Sequence, residues 1–347
     1  MIDCGAVAGR RQTLATLLCK TGALELIMRA RSRLPQTLSV LTYHSIADAA
    51  KPGFDDGVVD ATPSQFEAQL RFVSERFSVI RIQQLIDFLE TGAPLPQNAL
   101  LITFDDGYST CFSQALPALQ RHNMTATFFI ATDFVDRRRV YWWDRINYIL
   151  HHSDRDRVQL SYPEPVDIEV AADGSVRTLT NLVKHTRGLD VERFLDELTA
   201  AAGVTWTEQF ERALANETIM TWDQVRGLRD AGMDVQSHTH GHRVLQTLHG
   251  DQLAHELAGS REILERELDQ PVRAVAYPVG RDIAHIPEIR NAIRDAGYAI
   301  GFSNATGVNY RMNRIDPFSV RRLAVDRHAS HEMFCGSLVV PPLAYTR

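Results

Sequence analysis

Short apolar runs rich in β-forming residues alternate along this chain with longer segments of helical period. Leu38–Tyr43, Ser78–Ile82, Leu100–Phe104, Ala126–Ala131, Met233–Gln236, Ala274–Tyr277 and Ala299–Phe302 predict strands. Thr62–Arg76, Gln114–His122, Trp222–Asp230, Gln252–Leu268 and Pro287–Asp295 predict the helices between them. Three helix ends share one punctuation. Arg121-His122-Asn123-Met124, Arg229-Asp230-Ala231-Gly232-Met233 and Arg294-Asp295-Ala296-Gly297-Tyr298 each place Asn or Gly where a left-handed cap turns a helix toward a strand. Alternation of this kind predicts an α/β fold with a parallel sheet, and the strand count predicts a closed or nearly closed barrel.

The alternation fades between the two halves. Val140–Leu150 is aromatic-rich, Ser161–Val176 is punctuated by Pro, Asp and Gly, and Asp190–Ala202 is helical in pattern. The expected organisation is a helical extension over residues 1–36, a barrel from 37–135 and 218–330, an insertion over 136–217, and a tail over 331–347.

Composition narrows the function classes. With 347 residues and 44% hydrophobic content the chain buries a real core, and its net charge of −6 gives no sign of a nucleic-acid surface. Cys4, Cys19, Cys111 and Cys335 form no CxxC pair, so a disulfide framework is not expected and a reducing, cytoplasmic compartment fits better. Thr13–Met28 is interrupted by Lys20 and Glu25, which makes it too polar to span a bilayer. Arg10-Arg11 lacks the apolar centre and cleavage site of an export signal. The segment is expected to pack on its own domain. With Arg29, Arg31 and Arg33 it also allows peripheral membrane contact.

Two motifs carry the chemistry. Thr103-Phe104-Asp105-Asp106-Gly107 puts two acids at the exit of a predicted strand, and His238-Thr239-His240-Gly241-His242 puts three imidazoles at the exit of another. One carboxylate and two histidines make a three-ligand site that leaves room for water, the usual form of a catalytic divalent centre. Adjacent side chains on an extended segment diverge, so one acid is expected to bind the metal and its neighbour to act as base. His238 pairs with His242 on a helical turn or with His240 on an extended one, and spacing does not choose between them. His44 also follows a predicted strand. The donor set favours Zn²⁺, with Co²⁺, Ni²⁺, Mn²⁺ or Fe²⁺ as alternatives.

These two motifs resemble the first signatures of the polysaccharide deacetylases, the NodB-homology or family 4 carbohydrate esterases. The resemblance implies a distorted (β/α)₇ TIM-like barrel, Asp106, His238 and His242 as metal ligands, and Asp105 as general base. The family's arginine-bearing third motif appears here as Val275-Ala276-Tyr277-Pro278-Val279-Gly280, with Ala276 at the arginine position. Arg273, Arg321 or Arg322 is then expected to steady the base. The late histidine motif is absent as well. Leu41-Thr42-Tyr43-His44-Ser45-Ile46 resembles an element of the branch acting on poly-N-acetylglucosamine-type exopolysaccharides, which implies His44 as general acid. Tyr108, Tyr277 and Pro278 are expected in support, and Trp142 and Trp143 either stack on sugar rings or pack the insertion.

The implied activity is removal of N-acetyl groups from an N-acetylated carbohydrate by activated water, with a backbone N–H after Asp106 helping to hold the developing negative charge. O-acetyl ester cleavage, a sugar-binding barrel without turnover, and hydrolysis of another amide are the competing readings.

Overall fold

A computed structural model describes residues 4–31, 37–280, 283–310, 312, 315–340 and 343. Arg33 and parts of both terminal segments lie outside them. Seven parallel strands close into a barrel: β1 (Leu38–Tyr43), β2 (Ala99–Phe104), β3 (Thr127–Ile130), β4 (Asp234–Ser237), β5 (Ala274–Ala276), β6 (Ile300–Thr306) and β7 (Val320–Ala324). Each pairs with the next in sequence, and β7 returns to β1 through Leu41↔Leu323 and Thr42↔Ala324. This is a (β/α)₇ TIM-like barrel preceded by the helices Cys4–Lys20 and Ala23–Arg31.

The period of two along each strand divides its side chains between two cores. Leu38, Val40, Leu101, Phe129, Ala274, Ala276, Ile300, Phe302 and Val320 form the inner one, plugged below by Ile82, Leu85 and Ile86 of the helix Ile82–Thr91. Leu41, Tyr43, Leu100, Ile102, Phe104, Phe128, Val275 and Leu323 face the surrounding helices. Asn123, Gly232 and Gly297 take the left-handed cap conformation that the sequence predicts, at φ 52°, 81° and 82°.

One strand assignment changes. Ser78–Val79 is a two-residue edge strand on β2 and stands outside the closed ring. The seventh barrel strand is instead Val320–Ala324, whose sequence Val-Arg-Arg-Leu-Ala breaks the apolar run that marks the others.

Trp142–His151, Ser175–His185, Val191–Ala201 and Glu208–Thr218 form a helical layer with a small antiparallel hairpin, Arg157–Leu160 against Val166–Glu169. Beyond the barrel, in the segment expected as a tail, the chain forms the helix His331–Val339. The first helix docks on it through buried Ala15 against Met333, and Gln12 Nε2 donates to Ser330 Oγ at 2.7 Å. Leu14, Leu17 and Leu26 stay exposed. Among the described residues no helix is long and apolar enough to cross a membrane.

Candidate metal centre

The acid motif leaves β2 through two successive left-handed residues, Asp106 (φ 73°) and Gly107 (φ 87°). A non-glycine residue held there costs about 1–3 kcal/mol, strain that clusters at functional sites. It also overturns the expectation that neighbouring acids diverge. Asp106 is not extended, so both carboxylates line the same cavity at the carboxyl end of the barrel. Asp106 Oδ1 lies 3.3 Å, and Asp105 Oδ2 3.9 Å, from His238 Nε2.

The histidine motif is neither helical nor extended. Thr239 (φ 65°) and His242 (φ 50°) fold the loop back so that the rings of His238 and His242 stand 4.8 Å apart. Both Nε2 atoms are 3.3 Å from Asp106 Oδ1. His240 turns away, its Nδ1 sharing a 2.8 Å hydrogen bond with Thr132 Oγ1.

The three residues fit a cation. Their ligand atoms lie within 4.8 Å of one another, and all three side chains are buried. Asp106 Oδ1 is sealed from solvent and takes no hydrogen bond, which is costly for a carboxylate unless an ion meets it. His238 Nδ1 donates to the Ala276 carbonyl at 2.9 Å, leaving the Nε2 lone pair facing Asp106. Burial lowers His242, favouring the neutral ligand form.

Glu256, which the sequence did not single out, fixes the ligand loop. Its Oε2 accepts the N–H groups of His240 (3.1 Å) and Gly241 (2.8 Å) from a π-turn, His255–Gly259. A Cβ on Gly241 would come 2.9 Å from Glu256 Oε1, so the glycine serves close approach here. Glu256→Ala is expected to weaken metal binding by about 10–100-fold, while Glu256→Gln, which keeps an acceptor, costs less. Competition titration against a chromogenic chelator checks this; equal affinity in wild type and Glu256→Ala would exclude the role.

Two pairs flank the triad, one buried and one half-buried. Arg322 Nη1 donates to Asp105 Oδ1 at 2.8 Å, with both side chains 2% exposed. Burial by itself would raise Asp105, but the guanidinium and His238 prevail and hold it below its ordinary value. His44 Nδ1 lies 2.9 Å from Asp60 Oδ2, and the His44 backbone N–H donates to the same oxygen. Burial pulls His44 down, but Asp60 more than offsets it, so the imidazole is raised to about 9. Asp60 was missed in the sequence; a lone acid between Val59 and Ala61 was its only signal.

The other expected supports are distributed differently. Arg273 pairs with Glu90, and Arg321 is exposed beside Gly307, so neither reaches Asp105. Tyr277 points outward, donating to the Phe318 carbonyl at 2.9 Å over Gly301, and Pro278 is buried in the turn beyond β5; neither lines the cavity. Tyr108 stands behind the site, donating to Asp144 Oδ2 at 3.1 Å and accepting from Trp143 Nε1 at 3.0 Å. Trp142 and Trp143 border the cavity but are only 4% and 7% exposed, and the Trp143 ring packs edge-on against His242 at 4.6 Å. Burial also raises the carboxyl of Asp144 to about 8. Gly107, directly after Asp106, spends its N–H on the Asp105 carbonyl, 2.9 Å away.

The barrel has counterparts among solved structures. The polysaccharide deacetylase family model matches residues 92–301. The chain belongs to this family. As a member it is a hydrolase that removes acetyl groups from carbohydrate. Among curated relatives of this deacetylase, Bacillus subtilis YxkH is 19% identical over 282 residues, spanning 81% of this chain and 69% of that protein. The Escherichia coli poly-beta-1,6-N-acetyl-D-glucosamine N-deacetylase is 27% identical over 97 residues, 28% of this chain and 14% of that longer protein. The Streptococcus pyogenes deacetylase PplD, solved with acetate, shares the fold with a TM-score of 0.55 at 17% identity, covering 85% of this chain and 95% of that one. His44 and Arg322 both fall outside the span that the family model matches.

Proposed function

We propose that this deacetylase removes N-acetyl groups from amino sugars of a bacterial exopolysaccharide or its precursor, using a divalent metal, best Zn²⁺, on Asp106, His238 and His242. The observation that carries the reading is the convergence on one cavity of that triad, a second acid tethered by arginine, and a raised histidine. The name of the Escherichia coli relative supports an N-acetylated exopolysaccharide as substrate. The missing arginine at Ala276 favoured a barrel without turnover, and Arg322 weighs against that reading, because its guanidinium reaches Asp105 from β7.

A divalent cation in this donor set supplies Lewis acidity, acidifying water and polarising an acetyl carbonyl. Asp105, kept ionised by Arg322, accepts the proton of the attacking water as its oxygen adds to the acetyl carbon. His44, kept protonated by Asp60, gives its proton to the sugar nitrogen as the carbon–nitrogen bond breaks. Acetate and a free amine result. An amide needs that proton because its nitrogen leaves poorly as an anion, whereas an ester alkoxide needs it less. The protonated His44 thus supports the N-acetyl reading over the O-acetyl one.

Acetate release from tri-N-acetylchitotriose, measured before and after chelation, tests the proposal. Activity that survives complete metal removal would refute it. The pH profile adds a second expectation. His44 works protonated and is raised to about 9, so activity is lost as pH rises through that region. A cation nearby opposes its charging, which puts the limb no higher than about pH 9. Asp60→Asn should move the alkaline limb down; an unmoved limb would assign the acid elsewhere.

A further inference from the structure

The catalytic cavity encloses about 690 Å³ and extends beyond the triad to the helix Ser175–His185. That volume holds a ligand larger than one hexose. Val176, Thr180 and Lys184, four residues apart, turn one helical face toward it, and Arg177 stands beside them. The charges on the wall are unbalanced. Asp105 is committed to Arg322, and His44 to Asp60. With Asp106 given to a cation, Asp55 is the one acid left on the described wall, and its Oδ1 already accepts the Gly57 N–H at 2.9 Å. Among the described residues neither Lys184 nor Arg177 lies within ion-pair distance of a carboxylate, although both line the cavity. Lys184 is half-buried, and desolvation lowers its ammonium with only Asp55 opposing. A cation held this way gains from an anion brought in by the ligand.

We infer that the substrate carries an oxyanion, phosphate or carboxylate, on or next to the N-acetylated sugar, and that Lys184 and Arg177 receive it. This rests on the deacetylase reading of the same cavity and adds the chemical class of its substrate. A neutral homopolymer would leave half-buried Lys184 unanswered and exposed Arg177 met only by water. The ammonium and the guanidinium act as specificity determinants, remote from the bond that breaks.

The test compares neutral tri-N-acetylchitotriose with its glycosyl 1-phosphate and with a trisaccharide of equal length containing one hexuronate. At least one charged probe should be deacetylated with kcat/KM about tenfold above the neutral one, mainly through KM, and the advantage should shrink as salt rises. In the Lys184→Gln/Arg177→Gln double variant the charged-to-neutral ratio should collapse toward one. The two charged probes separate phosphate from carboxylate as the source of the oxyanion. Calorimetric affinities measured on Asp105→Asn decide the point without turnover, and the same order of preference is expected. Equal affinity for charged and neutral probes, or a ratio untouched by the double variant, overturns the inference while acetate release leaves the deacetylase reading standing. Tight charge-selective binding with no acetate released from any probe would do the reverse.

Discussion

Asparagine at Asp105 is expected to lower kcat by about 10²–10⁴-fold, the range that a positioned general base contributes. Metal content should stay at one ion per chain. The two effects separate because the acids share a cavity but have different partners. Asp105 is held by Arg322, whereas Asp106 Oδ1 faces His238 and His242. Asparagine keeps an oxygen for Arg322 Nη1, so the geometry survives while the proton acceptor is gone. Steady-state acetate release and elemental analysis of the same sample check both halves. Full activity in Asp105→Asn would move the base to another residue, and lost metal would make Asp105 a ligand.

Arg322→Leu is expected to damage both stability and the acid side of the pH profile. Removing one partner of a buried pair leaves the other charged and unpaired, which costs about 3–5 kcal/mol. Arg322 also donates to the Ser303 carbonyl (3.2 Å) and Asn304 Oδ1 (2.6 Å), so these acceptors lose their partner too. The direction with pH follows from Asp105, which Arg322 holds below its ordinary value. As the proposed base Asp105 acts ionised, so wild-type activity is expected to persist above its folded pKa and to be lost as pH falls through it. Without the guanidinium, burial pushes that pKa up, and activity is lost at a higher pH. The stability contribution of the depressed carboxylate follows the same course: present above the unfolded value and lost as pH falls through the folded one. Arg322→Lys should recover part of the effect, since it keeps the charge but loses the planar fork. Thermal melts and a kcat/KM profile read both changes; an unshifted acid limb would rule out the tether.

Much of the ring was legible because β2, β3 and β5 are nearly continuous apolar runs, as strands buried on both faces are. The seventh hid behind two charges. β7 carries Arg322 into the barrel and Arg321 to the outside, and those two charges erase the apolar signal in Val320–Ala324. The ligand motifs were legible as residue types near strand ends, but their geometry was not. Left-handed Asp106, Thr239 and His242 defeat both the alternation and the helical spacing from which side-chain directions are argued. Glu256 and Asp60 stayed hidden because each acts through a backbone or ring N–H brought near by folding. Tyr277 was misplaced because it lies on the outward side of β5, one residue from Ala276 in the inner core.

An anomalous difference map recorded at the zinc edge, from crystals of enzyme that releases acetate, tests the metal centre most directly. A single strong peak is expected about 2.0–2.2 Å from Asp106 Oδ1, His238 Nε2 and His242 Nε2 together, with Asp105 outside that shell. A peak bound elsewhere, or an active crystal with no peak at these three atoms for any divalent metal, would contradict the account.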